Sequence, residues 1–77
     1  MSKLPRISVK DTVKKLQRLG FEVFDKSGSH VYLHKWQHDK WTVRITVPVH
    51  GKKILKLKTL KSILKQAEID LDKFVKA

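Results

Sequence analysis

The chain has 77 residues, enough for one small domain with a single hydrophobic core but too few for a deep active-site cleft. Its 18 Lys and Arg residues against 7 Asp and Glu give a formal charge of +11, which favours a polyanionic partner, above all nucleic acid, over a neutral small molecule. The lack of cysteine excludes disulfides, thiolate metal sites and cysteine nucleophiles.

The first predicted element is a helix that begins after Ser8. Ser8 is a suitable N-cap, and Asp11 places a carboxylate near the exposed N–H groups of the first turn. Apolar residues then recur at the spacing of one helical face, and Gly20 fits the end of the helix. These apolar residues are Val9, Val13, Leu16 and Leu19.

An antiparallel meander of three strands is predicted next. The strands cover residues 21–26, 30–36 and 41–47, and the first two are joined by a turn at Ser27 and Gly28. Pro48 closes the third strand because proline cannot donate a hydrogen bond to the ladder.

Alternation along the strands assigns their side chains to two faces. The aliphatic face is expected to form the core, and it carries Val31, Leu33, Trp41, Val43, Ile45 and Val47. The opposite face is more polar, and it carries His30, Tyr32, His34, Trp36, Thr42, Arg44 and Thr46.

A second helix is predicted over residues 59–67, with Thr59 as its N-cap, after a basic loop at residues 50–53. Its apolar stripe consists of Leu60, Ile63, Leu64 and Ala67. A short helical turn after Asp70 should return Leu71, Phe74 and Val75 to the core. The predicted class is therefore α+β, in the order α-β-β-β-α, with two helices on one face of a three-stranded antiparallel sheet and a short C-terminal helical turn. We expect residues 1–77 to form one domain.

His30 is the first candidate for chemistry, because a histidine can take up and release a proton near neutral pH. Gly28 and Ser29 precede it in the turn that opens the second strand. A single histidine on a strand is more commonly a partly exposed surface residue, so local spacing does not decide its role. His34 lies four residues further on, about 13 Å along a strand, which argues against a metal ion shared by the two histidines. We expect neither a metal nor another cofactor.

Other residues could support binding to nucleic acid. Lys52 and Lys53, together with Arg44 on the histidine face, could contact phosphates. Tyr32 and Trp36 could stack on bases, but they could equally cover the sheet or meet a protein partner. His50 in the basic loop is more often a solvated residue than a catalytic one. We expect no membrane partner, because no apolar run approaches the roughly 20 residues of a spanning helix, and we expect a cytoplasmic location, because the N-terminus lacks a signal-peptide core.

Several segments, in order and at compatible spacing, closely resemble the HicA family of toxins. They are Gly20-Phe21 after the first helix, Gly28-Ser29-His30 opening a strand, residues 46–50 (TVPVH) ending the next, and residues 59–67 (TLKSILKQA) in the last helix. The resemblance covers about residues 8–75. It implies a fold like that of double-stranded-RNA-binding domains, activity as a small mRNA interferase, which is an endoribonuclease, and neutralisation by a cognate HicB antitoxin. The catalytic histidine of the family maps onto His30.

The resemblance leaves several points open. RNA cleavage without a metal would use the substrate's 2′-hydroxyl as nucleophile, and His30 would act as base or acid. A second acid or base is then needed, and it could be His50, Tyr32, Ser29 or a lysine of the 52–53 pair. Lys58 and Glu68 stand where the family commonly has glycine, so either the backbone differs there or some strain is accepted. A non-catalytic RNA-binding module and a subunit that only binds an acidic protein are the alternatives.

Overall fold

The computed structural model describes residues 4–49 and 54–77, apart from the side chain of Thr42. Its elements follow the order α1 (Val9–Arg18), β1 (Phe21–Lys26), β2 (His30–Gln37), β3 (Lys40–Pro48), α2 (Leu57–Ala67) and α3 (Leu71–Lys76). The predicted α+β class and the α-β-β-β-α order are confirmed. The basic loop predicted at residues 50–53 lies outside the described residues.

The sheet has the strand order β1-β2-β3, and both neighbouring pairs are antiparallel. Its core face carries Leu33, Ile45 and Val47, which are buried in one cluster with Leu16 of α1 and with residues of α2. The buried residues of α2 are Leu60, Ile63, Leu64 and Ala67. Because side chains alternate along a strand, the face that bears His30, Tyr32 and His34 points away from both helices. We call this second face the outer face.

The start of α1 follows its sequence signals. The Asp11 N–H donates to Ser8 Oγ at 3.0 Å, which makes Ser8 the N-cap. Thr12 is fully buried, and its hydroxyl donates to the Ser8 carbonyl at 2.8 Å, so this polar group has a partner inside the core. Gly20 follows the helix with φ of +102°, a conformation that favours glycine.

Trp41 is not on the core face, and the prediction that placed it there is wrong. In the pairing of β2 with β3, His34 lies opposite Arg44 and Trp36 lies opposite Trp41, so β3 has one extra residue in this interval. Such a bulge reverses the alternation that follows it. Trp41 therefore shares the outer face with Trp36 and His34, and 42% of its surface is exposed.

The second helix begins at Leu57 rather than at the predicted Thr59. Its N-cap is Lys56, whose side chain makes no capping hydrogen bond, so the start carries no sequence signal. Lys58 lies within α2 and needs no left-handed backbone. Glu68 is different, because it ends the helix in the left-handed conformation with φ of 56° and ψ of 38°.

Replacing Glu68 with glycine is expected to stabilise the protein by about 1 kcal/mol, because a non-glycine residue in this conformation is strained. The matched control is Lys61→Gly, which places glycine at an exposed interior position of α2 and should destabilise by roughly 0.5 to 1 kcal/mol. Urea unfolding of both variants measures the two effects. A loss of stability in Glu68→Gly would contradict the left-handed helix end.

The C-terminal helix α3 is fixed to α1 by Phe74 and Lys15. Phe74 is fully buried in the core cluster, and Lys15 Nζ lies 5.7 Å from the centroid of its ring. The same ammonium donates to the carbonyls of Phe74, Val75 and Ala77 at 3.4, 3.1 and 2.9 Å. A cation at this position satisfies the last carbonyls of the helix. The Val75 side chain is 40% exposed, so its predicted place in the core is wrong.

Candidate active site

The turn between β1 and β2 holds Ser29 and His30 by backbone hydrogen bonds. The Ser27 N–H donates to the His30 carbonyl at 2.9 Å, and the Val49 N–H donates to the Ser29 carbonyl at 2.6 Å. His30 also pairs with Pro48 at the end of β3. The backbone that carries His30 is therefore fixed from both neighbouring segments.

The side chains of Ser29 and His30 contact each other directly. Ser29 Oγ lies 2.9 Å from His30 Nδ1, at a hydrogen-bonding distance. A hydroxyl can donate a hydrogen bond or accept one, so Ser29 can hold the imidazole in its neutral or its protonated form. With Nδ1 occupied, Nε2 is the nitrogen that remains for a ligand. His30 is half-buried and Ser29 is exposed, so this pair lies at the surface.

Gly28 is in the turn, as predicted, but the fold does not require glycine there. Its φ lies outside the left-handed region, and a Cβ added to it would meet no atom within 4 Å. There is consequently open space directly beside Ser29 and His30, where a ligand could approach the backbone closely.

Tyr32 and Arg44 extend the outer face beyond His30. The ring centroids of His30 and Tyr32 are 6.1 Å apart, with an angle of 24° between the planes. Arg44 is exposed and lies opposite His34 in the ladder, which is about 13 Å along the strand from His30. Tyr32 is thus a neighbour of His30, whereas Arg44 is on the same face at a greater distance.

Three of the predicted site residues, His50, Lys52 and Lys53, lie outside the described residues. Within residues 4–49 and 54–77, no group of three His, Cys, Asp or Glu side chains could hold a metal ion together.

The sequence reasoning missed two aromatic side chains on the outer face. Phe24 and Trp41 lie against His34, with ring centroids 4.2 and 3.6 Å from its own. Alternation along β1 from Phe21, which is buried, places Phe24 on the outer face, so the sequence could have predicted its position. For Trp41 the bulge in β3 conceals the signal.

Comparison with protein families decides the classification. The model of a family described as the HicA toxin of bacterial toxin-antitoxin matches residues 9–69. The chain belongs to the HicA toxin family. A search of curated proteins found no match.

The family match contains Gly28, Ser29 and His30 together with all three strands, but it ends before α3. The matched residues therefore include every strand that contributes to the outer face. None of its helices within the described residues is long and apolar enough to cross a membrane.

Proposed function

We propose that the chain is the toxin of a toxin-antitoxin system and acts as an mRNA interferase, an endoribonuclease that cleaves RNA without a metal and with His30 as its catalytic residue. The observation that carries the proposal is the contact between Ser29 Oγ and His30 Nδ1 on an accessible sheet face of a HicA family member. The formal charge of +11 supports RNA as the substrate, because phosphates provide most of the affinity in nucleic-acid binding.

In the proposed reaction the 2′-hydroxyl of the substrate attacks the adjacent phosphorus. His30 Nε2 takes the hydroxyl proton as the new bond to oxygen forms, or it gives a proton to the 5′-oxygen as the bond from that oxygen to phosphorus breaks. The products are a 2′,3′-cyclic phosphate and a 5′-hydroxyl, so the atoms and protons balance without a further reactant. Cationic side chains, for which Lys52 and Lys53 are the candidates, would stabilise the charge on the phosphorane-like transition state.

One histidine does not readily serve as base and acid in the same step, so a second group is required. His50, Tyr32, Lys52 and Lys53 remain proposals for this role, and His50 directly follows Val49 in the chain. We assign Ser29 a positioning role instead, because its hydroxyl already contacts Nδ1. Arg44 is proposed to hold a phosphate further along the bound strand.

The proposed partners are mRNA and a cognate HicB-type antitoxin, and the proposed location is the cytoplasm. An antitoxin that covers His30 and the proposed phosphate contacts Arg44, Lys52 and Lys53 would stop cleavage directly. We also propose that residues 1–77 fold as one domain.

The test of the proposed function is to incubate the protein with single-stranded RNA in the presence of EDTA and to separate the products by size. Shortened RNA is the expected result. RNA that is shifted in a native gel but stays intact would instead favour the non-catalytic RNA-binding module.

Replacing Ser29 with alanine is expected to lower kcat for RNA cleavage by about 2- to 10-fold, the range for losing one surface hydrogen bond. KM should change little, because no phosphate contact is removed. Ser29→Thr retains the hydroxyl and should restore most of the rate, which a purely structural role would not explain. Equal rates for the alanine variant and the unmodified protein, measured on one RNA, would refute the positioning role.

A further inference from the structure

The outer face carries a continuous series of aromatic side chains that begins at His30. Its members, in order of contact, are His30, Tyr32, Phe24, His34, Trp41 and Trp36. Neighbouring ring centroids are between 3.6 and 6.3 Å apart. Both tryptophans of the chain belong to this series. A run of large rings on one side of a three-stranded sheet therefore joins the Ser29–His30 pair to the far end of β2.

The rings differ in what they offer to a ligand. His34 lies between Phe24 on β1 and Trp41 on β3, with interplanar angles of 26° and 9°, so both of its faces are covered. Trp36 meets Trp41 at 73°, edge to face, and 53% of Trp36 is exposed. The two tryptophans at the end of the series thus keep large areas open, while His34 holds Trp41 in place.

The charges around the series favour RNA as the occupant. Arg44 lies on the same face, with its guanidinium carbon 5.8 Å from the centroid of the Phe24 ring. In the ladder, Glu22 and Asp25 of β1 lie opposite His34 and Tyr32, so these acidic residues are on the β1 side of the sheet, away from β3. A strand of RNA that follows β2 and β3 would avoid them. A second copy of this chain would also carry +11 and would be repelled.

We propose that Trp36 and Trp41 form a subsite that stacks on bases of the RNA flanking the cleavage point. Stacking suits these rings because every base has a π-face, and aromatic side chains on a sheet surface are a general means of binding single-stranded RNA. Trp36 lies six residues beyond His30, roughly 20 Å along the strand, so the subsite holds nucleotides some distance from the scissile phosphate. The inference rests on the proposed function for its substrate, but base stacking can be tested without cleavage.

The probe is a single-stranded oligonucleotide with 2′-O-methyl groups, which cannot be cleaved through its 2′-hydroxyls. Because both tryptophans lie on the outer face, their fluorescence reports on this surface alone. We expect quenching on addition of the oligonucleotide, and none with an abasic oligomer of the same length and phosphate charge. Trp36→Leu keeps an apolar side chain but removes the ring, and it should weaken binding by about 5- to 150-fold.

Two variants serve as controls for Trp36→Leu. Trp36→Phe retains a stacking face and should bind more tightly than the leucine variant, whereas Val75→Ala changes an exposed apolar residue of α3 and should bind like the unmodified protein. Unchanged affinity in Trp36→Leu, or equal quenching by the abasic oligomer, would overturn the subsite. Quenching by the antitoxin but not by the oligonucleotide would do the same, because the face would then be a protein interface.

The two proposals fail in distinguishable ways. Failure of the subsite alone would leave cleavage of ordinary RNA intact, with the same oligonucleotide affinity in Trp36→Leu as in the unmodified protein. If bases were required for quenching but ordinary RNA was not cleaved, the result would support the subsite and contradict the proposed endoribonuclease activity.

Discussion

Replacing His30 with alanine is expected to slow RNA cleavage by about 10²- to 10⁴-fold, the usual contribution of a positioned general acid or base. Binding of RNA should persist, because the substitution leaves unchanged all 18 lysines and arginines, the residues that could contact phosphates. The single-turnover cleavage rate and the dissociation constant, measured on the same oligonucleotide, separate these two effects.

The fold should tolerate this substitution. His30 is half-buried on the outer face and is not a member of the hydrophobic core cluster, so its removal creates no large internal cavity. The matched control is His38→Asn, which removes a histidine from the β2-β3 turn. Asparagine accepts the left-handed backbone at this position, where φ is 54°. The His38 variant should cleave like the unmodified protein, whereas parallel losses in both variants would argue against a special role for His30.

Replacing Phe74 with alanine is expected to lower the free energy of unfolding by roughly 3 to 5 kcal/mol, because a fully buried ring is lost and a cavity remains. A domain of this length has a total stability of roughly 4 to 12 kcal/mol, at about 0.05 to 0.15 kcal/mol per residue. The variant should therefore lose at least about a quarter of its stability and unfold at a clearly lower temperature and urea concentration. Thermal and urea unfolding followed by circular dichroism measure the loss.

This second prediction tests whether α3, which lies beyond the family match, is an integral part of the core. Val75→Ala is its control, because Val75 is in the same helix but exposed, and its replacement should change stability by no more than about 0.5 kcal/mol. Similar small effects for both substitutions would show that α3 is dispensable to the packed structure.

The sequence predicted the fold where local signals agree with the packing. The Ser8 cap, the apolar stripe of α1 and the alternation of Leu33, Ile45 and Val47 all lead to the observed elements and core face. Trp41 was misplaced because a bulge depends on the pairing of two strands, which one strand's alternation does not reveal. The start of α2 was misplaced because Lys56 provides no side-chain cap that would mark it.

The candidate site was less predictable than the fold. Local spacing indicated His30 as a candidate, but an ordinary surface histidine was the more common interpretation of that pattern. Only the resemblance across the chain favoured a catalytic role. The contact between Ser29 Oγ and Nδ1 depends on side-chain rotamers, which the sequence does not specify. The stacked arrangement of Phe24, His34 and Trp41 requires all three strands in register.

The most direct test of the central claim compares two oligonucleotides of one sequence, one of RNA and one with 2′-O-methyl groups, and analyses the product ends by mass spectrometry. The account predicts that the unmodified protein cleaves the RNA to fragments ending in 2′,3′-cyclic phosphate, leaves the methylated strand intact, and loses this activity in folded His30→Ala. The account would be contradicted if folded His30→Ala cleaved RNA as fast as the unmodified protein. It would also be contradicted if the methylated strand were cut as well as the RNA and the products carried no cyclic phosphate.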